Sequence, residues 1–445
     1  MGLVEMVVPR FRVLDREMAV REEFRALPKA VRDQRRLERL NDRWCAAVHG
    51  SRYYAVLAKK LGLPELFESL DEFRELVPVT PRQALRDRPD DFRLPGHRRG
   101  KWMTTGGSTG VPTRVFWGLD GHLESLRDQY WARSWWGVGV FDRQAMLWGH
   151  ASSHGGGLPG ACGRMMVPVI DRLRGRIRFN AYQLDRESLR TYFDRIVRFR
   201  PVSLYAYGSA AHLLAVANRG RAGPDSLKVA FLAAEPVQEM FRESIGEVFG
   251  CPCAGEYGSI DCGMIAYEHP EGKSRVFERS VIVETVLREG GYEILVTQLR
   301  DTGFPLFRYE IGDMTPMPLS CAADGGEVLE AVSGRSYDML RSPTGAVCYG
   351  GMVTQILKQL ADVALFTVRQ GPDYGLSILI QTVSGNDIGV EGRRYVASEV
   401  AKLLPGVRVE ISQVPALDRT PAGKHRWITS EAGVQPSNGK PSDAR

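Results

Sequence analysis

From about residue 100 to 338 the chain alternates short apolar runs with amphipathic helical stretches, and this alternation constrains the fold more than any other feature of the sequence. Ser203-Leu-Tyr-Ala-Tyr207, Val229-Ala-Phe-Leu-Ala233, Val281-Ile-Val-Glu-Thr285 and Tyr292-Glu-Ile-Leu-Val-Thr297 read as strands, and residues 186–199 and 210–218 as helices. Strands separated by helices call for α/β layers around a largely parallel sheet, because a parallel crossover has to pass over the sheet face. Residues 1–95 read as helical and charged. There Ser69 caps a helix whose first turn holds Asp71 and Glu72, and Thr80 reads as a cap with Pro81 at the first helical position. Beyond 338 the pattern restarts with a hairpin-like Ser342-Pro-Thr-Gly345, strands at 364–369 and 376–381 and a helix at 391–403. The expected organisation is a large unit over 1–338, a small α+β lobe over 339–430 and a disordered tail over 431–445.

The length of 445 residues fits two or three domains at about 150 residues each. The net charge of +6 comes from 59 Lys and Arg against 53 Asp and Glu over a long chain, which does not argue for nucleic acid. Basic clusters at 32–39 and 172–178 read as solvated faces, with a basic entrance for an anionic ligand as the functional alternative. No apolar run approaches the roughly 18 residues that span a bilayer, so the expectation is a cytoplasmic protein without a membrane partner. Seven cysteines fit reduced thiols better than a disulfide framework. Cys251, Cys253, Cys262 and His269 invite a zinc reading, but their spacing lacks paired C-x-x-C steps.

Thr105-Gly-Gly-Ser-Thr-Gly110, followed by Val111-Pro112, interleaves hydroxyls with glycines. Such a loop can turn sharply and aim N–H groups and hydroxyls at one anion. It is not a Walker A loop, because Val111 stands where the lysine would follow the second glycine. Arg419-Thr-Pro-Ala-Gly-Lys424 puts a lysine on a glycine-containing loop near the C-terminus. Between them lie Ala233-Ala-Glu-Pro236, Glu256-Tyr-Gly-Ser-Ile-Asp261, Phe307-Arg-Tyr-Glu-Ile-Gly-Asp313 and Ser333-Gly-Arg-Ser-Tyr-Asp338.

In that order these segments resemble the adenylate-forming enzymes, and within them the phenylacetate-CoA ligase and CapK-like branch, over roughly residues 45–430. The resemblance implies a large N-terminal multi-layer α/β adenylation domain with a small mobile α+β C-terminal domain. It implies that Thr105, Gly106, Gly107, Ser108, Thr109 and Gly110 hold phosphates. Ala234, Glu235 and Pro236 resemble a Gly-Glu-Pro turn lining the adenine, and Glu256, Tyr257, Gly258 and Ser259 resemble the Tyr-Gly-x-Thr-Glu segment, with Tyr257 on the adenine. Asp313 would accept from the ribose hydroxyls and Arg335 would reach the same sugar or the phosphate. Asp338 matches the hinge, Lys424 the catalytic lysine. The chain departs from the pattern at Ile260 and Asp261, where the resemblance has Thr and Glu. Asp261, one methylene shorter, takes the metal role by position. His150, His154 and Gly155, in a glycine-rich turn after Trp148, and Tyr207 would line the acid pocket. Trp131, Trp135, Trp136 and Tyr205 lie nearby in sequence and suit an aryl or heteroaryl acid.

The implied reaction consumes ATP with Mg²⁺, releases pyrophosphate as an acyl-adenylate forms, and passes the acyl group to coenzyme A. The alternative acceptors are an amine, which would make an amide ligase, or a carrier-protein thiol. Partners are then a small carboxylic acid and the acyl acceptor, with a homodimer allowed. A reading of another class is a nucleotide-binding scaffold without activity, suggested by the changes at Ile260 and Asp261.

Overall fold

The computed structural model describes residues 16–97, 99–104, 113–149, 171, 175–288, 291–330, 332, 334–335, 339–360, 362–419 and 425–432. One compact unit extends to residue 333, and a second is built from residues 334–420 and from 425 onward.

The first unit is organised by a sheet of nine strands among the described residues. Their order is β13 (Ser320–Cys321), β14 (Glu327–Leu329), β9 (Ser274–Val276), β8 (Gly263–Glu268), β7 (Cys253–Ser259), β6 (Val229–Ala233), β5 (Ser203–Tyr207), β3 (Gln144–Trp148) and β4 (Arg176–Asn180). From β4 to β7 every pairing is parallel, and from β7 to β13 every pairing is antiparallel. The expected strands 203–207 and 229–233 are buried at every position, as befits strands covered on both faces. The helices Arg186–Phe199, Gly208–Val216 and Glu239–Phe249 make the crossovers. Asp185 caps the first, its carboxylate accepting from the Ser188 N–H at 2.9 Å.

Two smaller elements flank this sheet. β1 (Gly100–Thr104) and β2 (Arg114–Gly118) pair antiparallel, so segment 105–112 joins two hydrogen-bonded strands. β10 (Val281–Arg288), β11 (Gly291–Gln298) and β12 (Tyr309–Thr315) form a second antiparallel set that carries Asp313. The N-terminal helices pack on it through one apolar cluster that includes Trp44, Tyr54, Phe73, Phe92 and Phe307. Ser69 caps helix Leu70–Leu76 as expected, accepting from the Glu72 N–H at 3.0 Å.

Two expectations fail here for physical reasons. Thr80 is not a helix cap. Its N–H donates to the Arg308 carbonyl and its carbonyl accepts from the Glu310 N–H, each at 3.0 Å, so it bridges in parallel alongside the start of β12. Pro81, with ψ of 143°, stands at the cap position of helix Arg82–Asp87. The basic cluster at 32–39 is not a solvated face either. On helix Lys29–Gly50, Arg32 and Arg36 are each 1% exposed. Arg36 meets Glu327 through two bonds of 2.7 and 3.0 Å, Arg32 meets Glu278 at 3.1 Å, and Arg39 meets Glu124 at 2.8 Å. Positions i, i+4 and i+7 share a helix face, so the arginines form one stripe that docks the helix. In the 172–178 cluster, Arg178 is likewise engaged, in a bidentate pair with Asp171.

In the second unit, β18 (Val363–Gln370) and β19 (Leu376–Thr382) form an antiparallel pair, after a hairpin of β16 (Met339–Arg341) and β17 (Val347–Tyr349) around Ser342–Gly345. β20 (Val409–Gln413) adds in parallel to β19 and β21 (Ile428–Ser430) in parallel to β18, and helix Gly389–Leu403 precedes β20. The architecture of large α/β unit and smaller α+β unit is the one expected.

Candidate active site

The parallel strands all end on one edge of the sheet. Register places Tyr207 of β5 beside Ala233 of β6, and Ala233 beside Glu256 of β7, with Trp148 ending β3 on the same edge. The chain leaves β3 for β4 on one side and leaves the adjacent β5 for β6 on the other, which makes the β3/β5 boundary a topological switch point. Open α/β sheets bind ligands in the crevice outside the carboxyl ends of strands at such points. Sequence alone brought together the residue types. The fold brings together their places.

At the end of β6, Ala234 adopts a positive φ of 69°. The left-handed turn swings Glu235 back toward the helix that precedes β6. There its carboxylate accepts from the Ser209 N–H at 2.8 Å and from the Ser209 hydroxyl at 3.0 Å, in the first turn of Gly208–Val216. A carboxylate there caps the helix and meets the positive end of its dipole.

At the end of β7, Tyr257 donates its hydroxyl to Asp313 Oδ2 at 3.0 Å, joining the expected adenine and ribose residues directly. Gly258 sits in a β-bulge where an added Cβ would stand 2.6 Å from the Gly263 carbonyl of β8, so the close approach this glycine permits is first of all to its own sheet. Ser259 Oγ accepts from the Cys262 N–H at 2.9 Å. The Ile260 carbonyl accepts from the Trp117 indole at 2.8 Å, which ties the β1–β2 hairpin to this turn. Asp261 is 2% exposed; its Oδ2 accepts from the Tyr309 hydroxyl at 3.0 Å and lies 3.9 Å from Arg82.

The β3/β5 boundary is aromatic. Trp148 stacks on Tyr205 with centroids 4.7 Å apart and lies 4.2 Å from Tyr207. Gly149 follows immediately, and a Cβ there would press on the Tyr207 hydroxyl at 3.2 Å. Behind this wall, Glu256 accepts from the Tyr205 hydroxyl at 2.8 Å and from the Gln129 amide at 2.7 Å, with Arg133 at 3.6 Å. Burial pushes the Tyr205 phenol well above its ordinary pKa, and the adjacent Glu256 charge adds to this, so Tyr205 stays a donor. Burial works against the Arg133 charge, but Tyr267 and Glu256 outweigh it and leave the guanidinium above its ordinary pKa. Gln129 and Arg133, four residues apart on helix Leu119–Ser134, were not read from sequence, although their spacing puts them on one helix face. Trp131 and Trp135 instead join the core beside Phe277.

Thr105 to Gly110, His150, His154, Gly155, Asp338 and Lys424 lie outside the described residues. Arg335 belongs by its backbone to β15 (Gly334–Arg335), its side chain lying outside the described part. Arg419 and His425 form an antiparallel bridge at the two ends of segment 420–424. Among the described residues no three His, Cys, Asp or Glu gather as a metal site, and burial pushes the Cys251 and Cys253 thiols up to about 12. No helix of the described residues is long and apolar enough to cross a membrane.

The fold is the one seen in solved acid–CoA ligases. A crystal structure of 2-hydroxyisobutyryl-CoA ligase, in the postadenylation state with an acyl-AMP, superposes with a TM-score of 0.70 at 17% identity, covering 91% of each chain. At that identity the likeness is one of fold. In sequence the chain is similar to protein CapK of Staphylococcus aureus, 24% identical over 308 residues that make up 66% of this chain and 65% of that one. It is also similar to the phenylacetate-coenzyme A ligase of Thermus thermophilus, 28% identical over 321 residues, 65% of this chain and 66% of the relative. The expected superfamily and branch are met, and the chain spans a little under two thirds of those relatives' lengths. No family model matches the chain.

Proposed function

We propose that the chain is an AMP-forming ligase that activates a carboxylic acid with ATP and transfers the acyl group to coenzyme A. The observation that carries this is the carboxyl edge of the parallel sheet. There Tyr207, the Ala234-Glu235-Pro236 turn and Tyr257 share one rim, and Tyr257 is bonded to Asp313. Asp313 is suited to a vicinal diol because one carboxylate offers two acceptor oxygens. Tyr257 beside it presents an aromatic face for adenine. The segment 105–110, between two paired strands, supplies glycines and hydroxyls for the phosphates, and Arg335 serves the sugar or phosphate. ATP is taken as its magnesium complex, which lowers the charge on the phosphates.

In the first half-reaction a carboxylate oxygen of the acid attacks the α-phosphorus, and the bond to the bridging oxygen breaks as pyrophosphate departs with its electron pair. Lys424 stabilises the charge that develops on the oxygens of that transition state. In the second half the thiolate of coenzyme A attacks the acyl carbon and AMP leaves, with Asp338 as the hinge between the two steps. The stacked Trp148, Tyr205 and Tyr207 support a flat aryl acid, which would lie against the wall at the β3/β5 boundary. The reading places the reaction in the cytoplasm, where both ATP and coenzyme A are supplied.

The test is acid-dependent exchange of labelled pyrophosphate into ATP by the full chain and its Lys424→Ala variant, across aryl and aliphatic acids. Exchange with at least one aryl acid, falling more than about 100-fold in Lys424→Ala, is expected for a lysine that acts on the transition state. Adding coenzyme A or an amine then identifies the acceptor by its product. No exchange with any acid, and ATP bound equally by both proteins, overturns the proposal.

A further inference from the structure

Two tyrosine–aspartate bonds cross between the end of β7 and β12 in opposite senses. Tyr257 of the first segment donates to Asp313 of the second, and Tyr309 of the second donates to Asp261, just beyond the end of the first, each at 3.0 Å. In each segment the tyrosine stands four residues before the aspartate, so the two segments are laced by a matched pair of bonds. The Asp261 end is the enclosed one. Asp261 is 2% exposed and Tyr309 is fully buried, while Asp313 is 9% exposed at the rim.

Further bonds hold the enclosed end from three directions. The Asp261 carbonyl accepts from Gln298 of β11 at 2.8 Å. Arg82 lies 3.9 Å from the Asp261 carboxylate while donating to the Ile311 carbonyl of β12 at 3.0 Å; its own N–H donates to Glu310 at 3.3 Å. Tyr309 is flanked by the Thr80 bridge on its backbone. Burial, and then the Asp261 charge, push the Tyr309 phenol well above its ordinary pKa, so it remains a donor at neutral pH.

A magnesium ion wants near-octahedral oxygen ligands and keeps several of its waters. A carboxylate enclosed to 2%, accepting from a buried phenol and facing an arginine, does not fit that role. The Asp261 position is therefore where this chain parts from the enzymes it resembles. We infer that Asp261 is a positioning residue, which with Tyr309 and Arg82 fixes the strand bearing Asp313, and that the magnesium ion accompanying ATP is held without it. The inference rests on the nucleotide-site reading above.

The experiment measures ATP binding by titration calorimetry, without acid and with Mg²⁺ varied, together with thermal unfolding. It uses the full chain and its Asp261→Asn, Asp261→Ala, Tyr309→Phe and Asp261→Ala/Tyr309→Phe variants. Asp261→Ala and Tyr309→Phe should each weaken ATP binding by roughly tenfold, and the double variant should be no weaker than the weaker single, since both remove one bond. In Asp261→Asn, which keeps an acceptor for Tyr309 and loses the charge, the Mg²⁺ concentration giving half-maximal ATP binding should stay within about twofold of wild type. A shift of that concentration by about tenfold or more would make Asp261 a metal ligand and overturn the inference, as would additive effects of the two singles. If Asp261→Ala does not fold, Tyr309→Phe, which removes the same bond from its other side, and the Mg²⁺ dependence of Asp261→Asn decide together: unchanged ATP binding in Tyr309→Phe overturns the inference. If the wild-type chain binds no ATP, the nucleotide reading fails by itself. The brace is then judged by melting temperatures alone, non-additive shifts supporting it and additive shifts overturning it.

Discussion

Ala234 holds φ at 69°, a region in which a Cβ crowds the following carbonyl and which non-glycine residues visit at a cost of about 1–2 kcal/mol. The turn accepts this because Glu235, one residue on, is fixed by two bonds to Ser209. It also explains why the motif this turn resembles has glycine at this position. A β-branched side chain adds a second clash. Ala234→Val should therefore lower unfolding free energy by about 1–2 kcal/mol, read as a shift of the denaturant midpoint at constant slope. An unchanged midpoint would mean that the backbone relaxes out of the left-handed region. Tyr257 and Asp313 were legible at this scale because motif order named both, and the 3.0 Å bond now joins them. Tyr309 and Arg82 were not legible, since a bond between positions 261 and 309 depends on the tertiary register of two strands and leaves no local pattern.

At the level of elements, helix Lys29–Gly50 is docked by arginines that composition alone assigns to water. The apolar period that placed strands 203–207 and 229–233 correctly says nothing about a charged stripe that meets acids from β14 and its neighbours. The partners Glu124, Glu278 and Glu327 lie far along the chain. Thr80 was misread for a related reason: a Thr-Pro pair signals a cap locally, while the strand edge it joins is more than 200 residues away. The Arg36–Glu327 pair is 1% and 8% exposed, so its removal is asymmetric. Glu327→Ala leaves a buried guanidinium without its bidentate acceptor and should cost about 3–5 kcal/mol. Arg36→Met with Glu327→Leu, which removes both charges and keeps the volume, should fall within about 1 kcal/mol of wild type. Equal losses in the single and double variants would show that packing rather than charge docks the helix. Both are measured by chemical denaturation.

Across the whole molecule, two compact units with separate cores need not lose stability together, and a buried histidine in the smaller one provides a way to tell them apart. His425 is 5% exposed, its Nε2 donates to the Phe366 carbonyl at 2.8 Å, and its ring meets Trp427 edge-on at 4.4 Å. Its pKa is lowered to about 4, chiefly by burial; the bond to Phe366 opposes the shift and the Arg419 charge adds to it. Because the folded value lies below the unfolded value near 6.5, folding favours the neutral ring. The stabilisation is complete above pH 6.5, is lost as pH falls from 6.5 toward 4, and changes no further below that. A shift of this size corresponds to about 3 kcal/mol at 1.36 kcal/mol per unit. Calorimetry of the full chain should show the transition of the smaller unit falling between pH 6.5 and 4, and the fall should be largely absent in His425→Phe whatever that variant's stability at pH 7. The comparison rests on the slope with pH, because the phenyl ring also forfeits the bond to Phe366. His425 forms the bridge with Arg419 at the ends of segment 420–424, so if the chain runs the proposed reaction, the acid limb of its pyrophosphate exchange should flatten in the same variant. A slope that persists would place the titrating group elsewhere.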